Sequence, residues 1–124
     1  MAEKKVILVV DDDPDLIEIY TLLLEKEGYL VETAFDSKSG FLAVKAHLPD
    51  LMILDIMMEN PDSGFELAQK ISDNGYTVPI ILSSSIAKAV AELFDMESLN
   101  IKGIIQKTAA FTDLVAMVKR LLPA

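Results

Sequence analysis

Four acids crowd the end of one apolar run. VILVV, positions 6–10, leads into Asp11, Asp12 and Asp13, and Asp15 follows just past Pro14. Like charges this close resist ionising together unless a cation neutralises them or they point apart. Other apolar runs also end on polar residues: LMILD ends in Asp55, PIILSSS places Ser84 after its apolar residues, and GIIQK ends in Lys107. Three carboxylates brought together form a hard, oxygen-lined site suited to Mg2+ with retained waters, and a lysine and a hydroxyl beside them suit phosphoryl oxygens. A carboxylate in such a site can itself be the nucleophile and become an acyl phosphate. That chemistry needs charge neutralisation more than proton shuttles, so a lack of catalytic histidines is no objection to it. His47, the single histidine, stands before Leu48 and Pro49 and reads as a solvated helix end.

The elements that must position these groups follow from hydrophobic patterning. Five short apolar runs, 5–10, 30–34, 51–54, 79–82 and 103–106, read as buried strands. Between them apolar residues recur at helical spacing, as in Leu16, Tyr20, Leu23 and Leu24, or Leu114, Val115, Val118, Leu121 and Leu122. Helices are expected over 14–27, 37–47, 64–74, 87–97 and 112–122. Asp13 reads as an N-cap before Pro14 at the first helical position, with Asp15 a first-turn acid favoured by the helix dipole. Gly28 is placed to end that helix, and Ser37 and Thr112 to cap the second and the last. Turn-forming residues concentrate at 60–64, a surface loop. Alternating strands and helices predict an α/β fold, a doubly wound five-stranded parallel sheet with helices on both faces. Ligands bind such sheets outside the carboxyl ends of the strands, so Asp11, Asp12, Asp55, Ser84 and Lys107 are expected on one rim.

The totals bound the function. At 124 residues and 52% hydrophobic content the chain is read as one domain, 1–124. Twenty acids against eleven bases give a net charge of -9, which argues against direct contact with nucleic acid. Without cysteine there is no disulfide or thiolate metal site. No signal-like segment opens the chain and no apolar run approaches the ~20 residues of a membrane span, so a cytoplasmic location without membrane contact is expected.

VVDDDPD, LDIMM, PIILSS and IIQK, in this order and at these spacings, resemble the receiver domain of bacterial two-component response regulators. The resemblance covers nearly the whole chain and is to a chemotaxis-regulator-like single domain. It implies a flavodoxin-like three-layer sandwich with strand order 2-1-3-4-5. It further implies that Asp55 accepts a phosphoryl group from a phosphohistidine on a sensor histidine kinase or phosphotransfer protein. Asp12 and Asp55 would hold Mg2+ directly, Asp11 would act through a water, and the Met57 main-chain carbonyl would complete the protein ligands. Ser84 and Lys107 would contact the phosphoryl oxygens. Ser84 is chosen among three serines because it lies five residues after Pro79, the family's usual spacing; a one-residue slip would reverse its side chain. The output would be a contact with a downstream protein effector, made by a monomer or weak dimer, or the chain is a receiver cut from a longer protein. No enzyme activity is expected beyond its own phosphoryl transfer and slow dephosphorylation. The dephosphorylation would be slow because Met57 and Ile86, each two residues past a site residue, cannot orient a water.

The chain departs from the family pattern at four places. Glu59 stands where a proline is common, in a loop one residue longer, and reads as solvated. Thr108 follows Lys107 in place of a cis-proline, and a trans bond is expected there. Ile104 replaces the switching aromatic of the fifth strand. The turn SLNIKG lacks the usual Gly-Ala, leaving Asn100 as the candidate left-handed residue. The last three lie where family members dock their outputs, so an unusual partner or switching geometry is expected. Two rival readings stay open: a phosphorylation-independent interaction module, and a small Mg2+-dependent phosphohydrolase with Asp11 as nucleophile and Asp13 as acid. A flavin-binding relative of the same fold fits less well, since four acids follow its first strand.

Overall fold

The computed structural model describes residues 4–60, 62–85, 96–107 and 109–122. Five strands form one parallel sheet: β1 (Val6–Val10), β2 (Leu30–Ala34), β3 (Leu51–Asp55), β4 (Ile80–Ser84) and β5 (Ile101–Gln106). Their order is β2-β1-β3-β4-β5. Four helices are described: α1 (Pro14–Lys26), α2 (Ser37–His47), α3 (Ser63–Asp73) and α4 (Phe111–Leu121). The helix expected over 87–97 falls mostly outside the described residues, and residues 96–100 form turns. None of the described helices is long and apolar enough to cross a membrane.

Side-chain alternation splits the core into two layers. Ile7, Val9, Leu51, Ile53, Ile81 and Ile105 pack against Ile17, Tyr20 and Leu24 of α1 and Leu114 and Val118 of α4. Leu8, Val10, Met52, Leu54, Ile80 and Leu82 pack the other way, against Val44 of α2 and Phe65, Leu67, Ala68 and Ile71 of α3. Each fully buried Leu or Ile stabilises the fold by roughly 1.5–3 kcal/mol, so the sheet centre is a stiff base for whatever its strand ends carry.

Alternation breaks once. Ile80 pairs with Ile101 but Ile81 pairs with Gly103, so Lys102 is an extra residue in β5. Such a bulge reverses the faces of all later residues. Hence Ile101 lies in the α2–α3 layer and Ile105 in the α1–α4 layer, although they are four residues apart. Gly103 lies on the α4 side, where an added Cβ would come within 2.7 Å of Met117 Sδ.

Helix ends follow local chemistry. Asp13 caps α1, its Oδ1 accepting from Asp15 N at 3.0 Å and Leu16 N at 3.3 Å, with Pro14 opening the helix. Gly28 follows the helix at φ 97°, and Asn100 holds φ 59° as the left-handed residue of its turn. Two expected caps are corrected. Asp36, not Ser37, caps α2 in a reciprocal box with Ser39, because its extended backbone aims the carboxylate at Ser39 N, 2.8 Å away. Thr112 lies inside α4, whose N-cap is Ala110 without a side-chain hydrogen bond. Tertiary packing sets that end: the Phe111 ring meets Tyr20 edge-on at 6.1 Å.

Candidate functional site

Asp11, Asp12, Asp55 and Lys107 meet at the carboxyl ends of β1, β3 and β5. Carboxylate oxygens of Asp11, Asp12 and Asp55 lie within 4.8 Å of one another, Asp11 and Asp55 buried and Asp12 exposed. Lys107 Nζ is 3.1 Å from Asp55 Oδ2 and 3.5 Å from Asp11 Oδ2. The bulge at Lys102 makes this possible, since it puts Lys107 on the face that carries Asp55.

The acids are held by the main chain. Asp11 N donates to Ala34 O at 3.1 Å, and Asp11 Oδ1 accepts from Asp13 N at 3.0 Å. Asp55 Oδ1 accepts from Met57 N at 3.2 Å. Asp55 Oδ2 is buried and accepts no hydrogen bond among the described residues, leaving the Lys107 ammonium as its ion-pair partner. Gly64 secures the following loop: its amide donates to Ile56 O at 2.7 Å, and a Cβ there would stand 2.5 Å from Asp55 O. Only glycine fits so close an approach.

The electrostatics match that crowding. Burial, and then the Asp11 charge, push the Asp55 carboxyl up from 3.8 to about 6, against the pull of Lys107 and the Met57 amide. For Lys107, burial alone would lower the ammonium pKa; the carboxylates of Asp55 and Asp11 outweigh it and hold it above the usual value. The site has more negative charge than one lysine balances, and its donors are carboxylate oxygens. This donor set fits a hard divalent cation.

A family model for the response regulator receiver domain matches residues 7–119. The chain belongs to this family. Among curated relatives the receiver is 40% identical over 81 residues to the response regulator GtcR of Aneurinibacillus migulanus, covering 65% of this chain and 33% of that protein. It is 36% identical over 98 residues to the transcriptional regulatory protein CseB of Streptomyces avermitilis, covering 79% and 41%. The receiver thus spans about a third to two fifths of these relatives' length. Among solved structures, response regulator protein TrrA from Thermotoga maritima, in complex with Mg(2+)-BeF, is 33% identical with a TM-score of 0.81, covering 95% of this chain and 99% of that one. The CheY-like receiver domain protein from Methanospirillum hungatei is 28% identical, with a TM-score of 0.82, covering 95% and 93%.

In this receiver Met57 adjoins Asp55, its amide on the carboxylate and its side chain exposed. Ser84 ends β4; its carbonyl accepts from Lys107 N at 3.0 Å, and by alternation its Cβ follows Leu82 toward the α2–α3 face. The register sets Ser83, not Ser84, across from Asp55. The Lys107–Thr108 bond involves a residue outside the described ones. Glu59 is not simply solvated: its Oε1 accepts from Ser37 N at 2.6 Å and its Oε2 from Ser37 Oγ at 3.0 Å, joining the loop after β3 to the start of α2. An anion at a helix N-terminus was the available signal. Sequence reasoning does not pick out Ser83 and Tyr20, polar groups buried beside the acids. A serine and a phenol at otherwise apolar core positions are their only marks in the sequence.

Proposed function

We propose that this receiver takes a phosphoryl group onto Asp55 from a phosphohistidine of a sensor histidine kinase or phosphotransfer protein. The observation that carries the reading is the buried Asp55 Oδ2, 3.1 Å from the Lys107 ammonium, inside a cluster of three carboxylates. The Asp55 carboxylate attacks phosphorus, the P–N bond breaks, and its electron pair returns to the donor imidazole. Asp11, Asp12, Asp55 and the Met57 carbonyl would hold Mg2+, which supplies neutralisation for charge gathering on the phosphoryl oxygens. Lys107 and the Ser84 hydroxyl contact those oxygens. The added charge, roughly -1.5 to -2, redraws the hydrogen bonds at the ends of β4 and β5. That rearrangement switches a contact with a downstream protein effector in the cytoplasm. The domain acts on no separate substrate, and its negative charge keeps it off nucleic acid.

Intact-mass spectrometry after incubation with acetyl phosphate and Mg2+ tests the reading. Wild type should gain one phosphoryl mass and Asp55→Asn none. Once the donor is removed, the mass should decay over minutes to hours, since the Met57 side chain cannot orient a water. No gain, with Mg2+ binding also absent, would favour the interaction module; label on Asp11 would favour the phosphohydrolase.

A further inference from the structure

The loop after β3 is fastened to a neighbouring helix by one exposed carboxylate. Glu59 reaches the first residue of α2, its Oε1 accepting from Ser37 N at 2.6 Å and its Oε2 from Ser37 Oγ at 3.0 Å. That amide is one of the donors a helix start leaves without an internal partner, and the positive end of the helix dipole adds to the hold. From α3 comes Ser63, a buried serine that accepts from Asn60 N at 2.9 Å. Burial alone would raise the Glu59 pKa; the Ser37 amide and the Ser63 hydroxyl outweigh it and hold the carboxyl below its usual value. Closer to the acids the same loop is tied again. Met57 N donates to Asp55 Oδ1 at 3.2 Å, and Gly64 N to Ile56 O at 2.7 Å. The peptide that joins Met57 to Met58 therefore lies between two anchors, Asp55 on one side and Glu59 on the other. A long side chain confined in this way gives up rotamer freedom, which charge-assisted hydrogen bonds must outweigh.

We propose that Glu59 is a positioning residue for the metal site: by clamping the loop to the first turn of α2, it fixes the direction of the Met57 carbonyl and so sets Mg2+ affinity. The inference rests on the reading above in which that carbonyl is a metal ligand. Mg2+ demands near-ideal octahedral geometry, so a carbonyl free to swing is a poor ligand. Groups that orient a ligand from behind are worth about tenfold or more in metal affinity. A proline at this position would stiffen the loop through its own fixed φ. Glu59 does it through a neighbour, which makes the start of α2 part of the support of the acid cluster. Whatever displaces that turn loosens the metal.

Ser37→Pro tests the clamp without changing any charge. Proline is favoured at the first helical position, and Asp36 before it already has the extended backbone that proline requires, φ -152° and ψ 175°. The variant should keep α2 and its Asp36 cap while Glu59 loses both donors. Mg2+ titration followed by backbone amide NMR is run on wild type, Ser37→Pro, Ser37→Ala, Glu59→Gln, the double variant Ser37→Pro/Glu59→Gln and Asp12→Asn, with thermal midpoints in EDTA. Ser37→Pro should bind Mg2+ about tenfold more weakly at a nearly unchanged midpoint. Ser37→Ala keeps the amide and should fall between it and wild type. The double variant should lose no more than the weaker of its two single variants, because both break one clamp. Unchanged Mg2+ affinity in Ser37→Pro overturns the proposal, as do additive losses in the double variant, which would leave Glu59 a charge effect only. A loss of affinity that comes with a fallen midpoint marks general loosening and overturns it too. If wild type binds no Mg2+, or Asp12→Asn binds it as well as wild type, the metal reading and this inference fall together. Wild-type binding that Asp12→Asn weakens and Ser37→Pro leaves intact overturns this inference alone.

Discussion

Replacing Asp55 by asparagine keeps the side chain's shape and removes a charge that its surroundings disfavour. Burial and the Asp11 charge raise the folded-state pKa of Asp55 from 3.8 to about 6. A carboxyl with a raised folded pKa binds protons more readily in the folded state, so its contribution to stability is full below pH 4 and lost as pH rises through 6. Keeping this carboxyl ionised in the folded protein at pH 7.5 therefore costs about 3 kcal/mol. Asparagine leaves Lys107 with Asp11 at 3.5 Å; the loss of its nearer partner is already contained in that figure, because the pull of Lys107 is part of what sets the Asp55 pKa. The expected gain for Asp55→Asn is about 3 kcal/mol at pH 7.5, or on the order of 10 °C in midpoint. It should nearly vanish at pH 4. Thermal unfolding in EDTA, followed by far-ultraviolet circular dichroism at both pH values, measures it. The difference between variant and wild type is the quantity to use. Carboxylates held low elsewhere, such as Glu27 by Lys119 and Asp36 by Ser39, tilt both curves the opposite way and cancel. A variant less stable than wild type at pH 7.5, or a gain equal at both pH values, would refute the charge argument.

Lys107→Ala should leave Asp11 and Asp55 buried without their ammonium, lowering stability in EDTA by about 1–3 kcal/mol. Mg2+ should then raise the midpoint more than it does in wild type; equal shifts would show that the lysine does not balance these acids. Gly64→Ala should lose at least about 2 kcal/mol in urea unfolding, because its Cβ would stand 2.5 Å from Asp55 O and 2.6 Å from Ile56 Cα. Gly28→Ala, with open space but φ 97°, should lose about 1–2 kcal/mol from backbone strain alone.

Much of this architecture is readable before any coordinates, because the relevant signals are local. Apolar runs closing on Asp11, Asp55 and Lys107 mark the strand ends, Asp13 before Pro14 marks the start of α1, and Asn100 is the one residue in SLNIKG suited to a positive φ. Strand order needs the family resemblance, since patterning cannot say which strands are neighbours. What escapes the sequence is non-local. Ser37 looks like a cap until Asp36 is seen in extended backbone, and its hydroxyl instead meets Glu59, 22 residues away. Thr112 fails as a cap because a Tyr20–Phe111 contact draws the helix start back. Ser83 and Ser84 cannot be told apart by spacing alone; only the pairing of β3 with β4 says which shares a face with the acceptor.

The extra residue in β5 has a consequence for how this chain can vary in length. Pairing resumes at Ile81–Gly103 as though Lys102 were not there. Lys102 is exposed, so a shortened strand that lacks it keeps both pairings and still presents the ammonium to Asp55. An added residue beyond Gly103 would have no such slack and would turn the lysine away. The bulge is thus a length buffer between the turn at 96–100 and the acid cluster. Upstream of it the chain is free to gain or lose a residue and reshape that surface, while the spacing from Gly103 to Lys107 stays fixed.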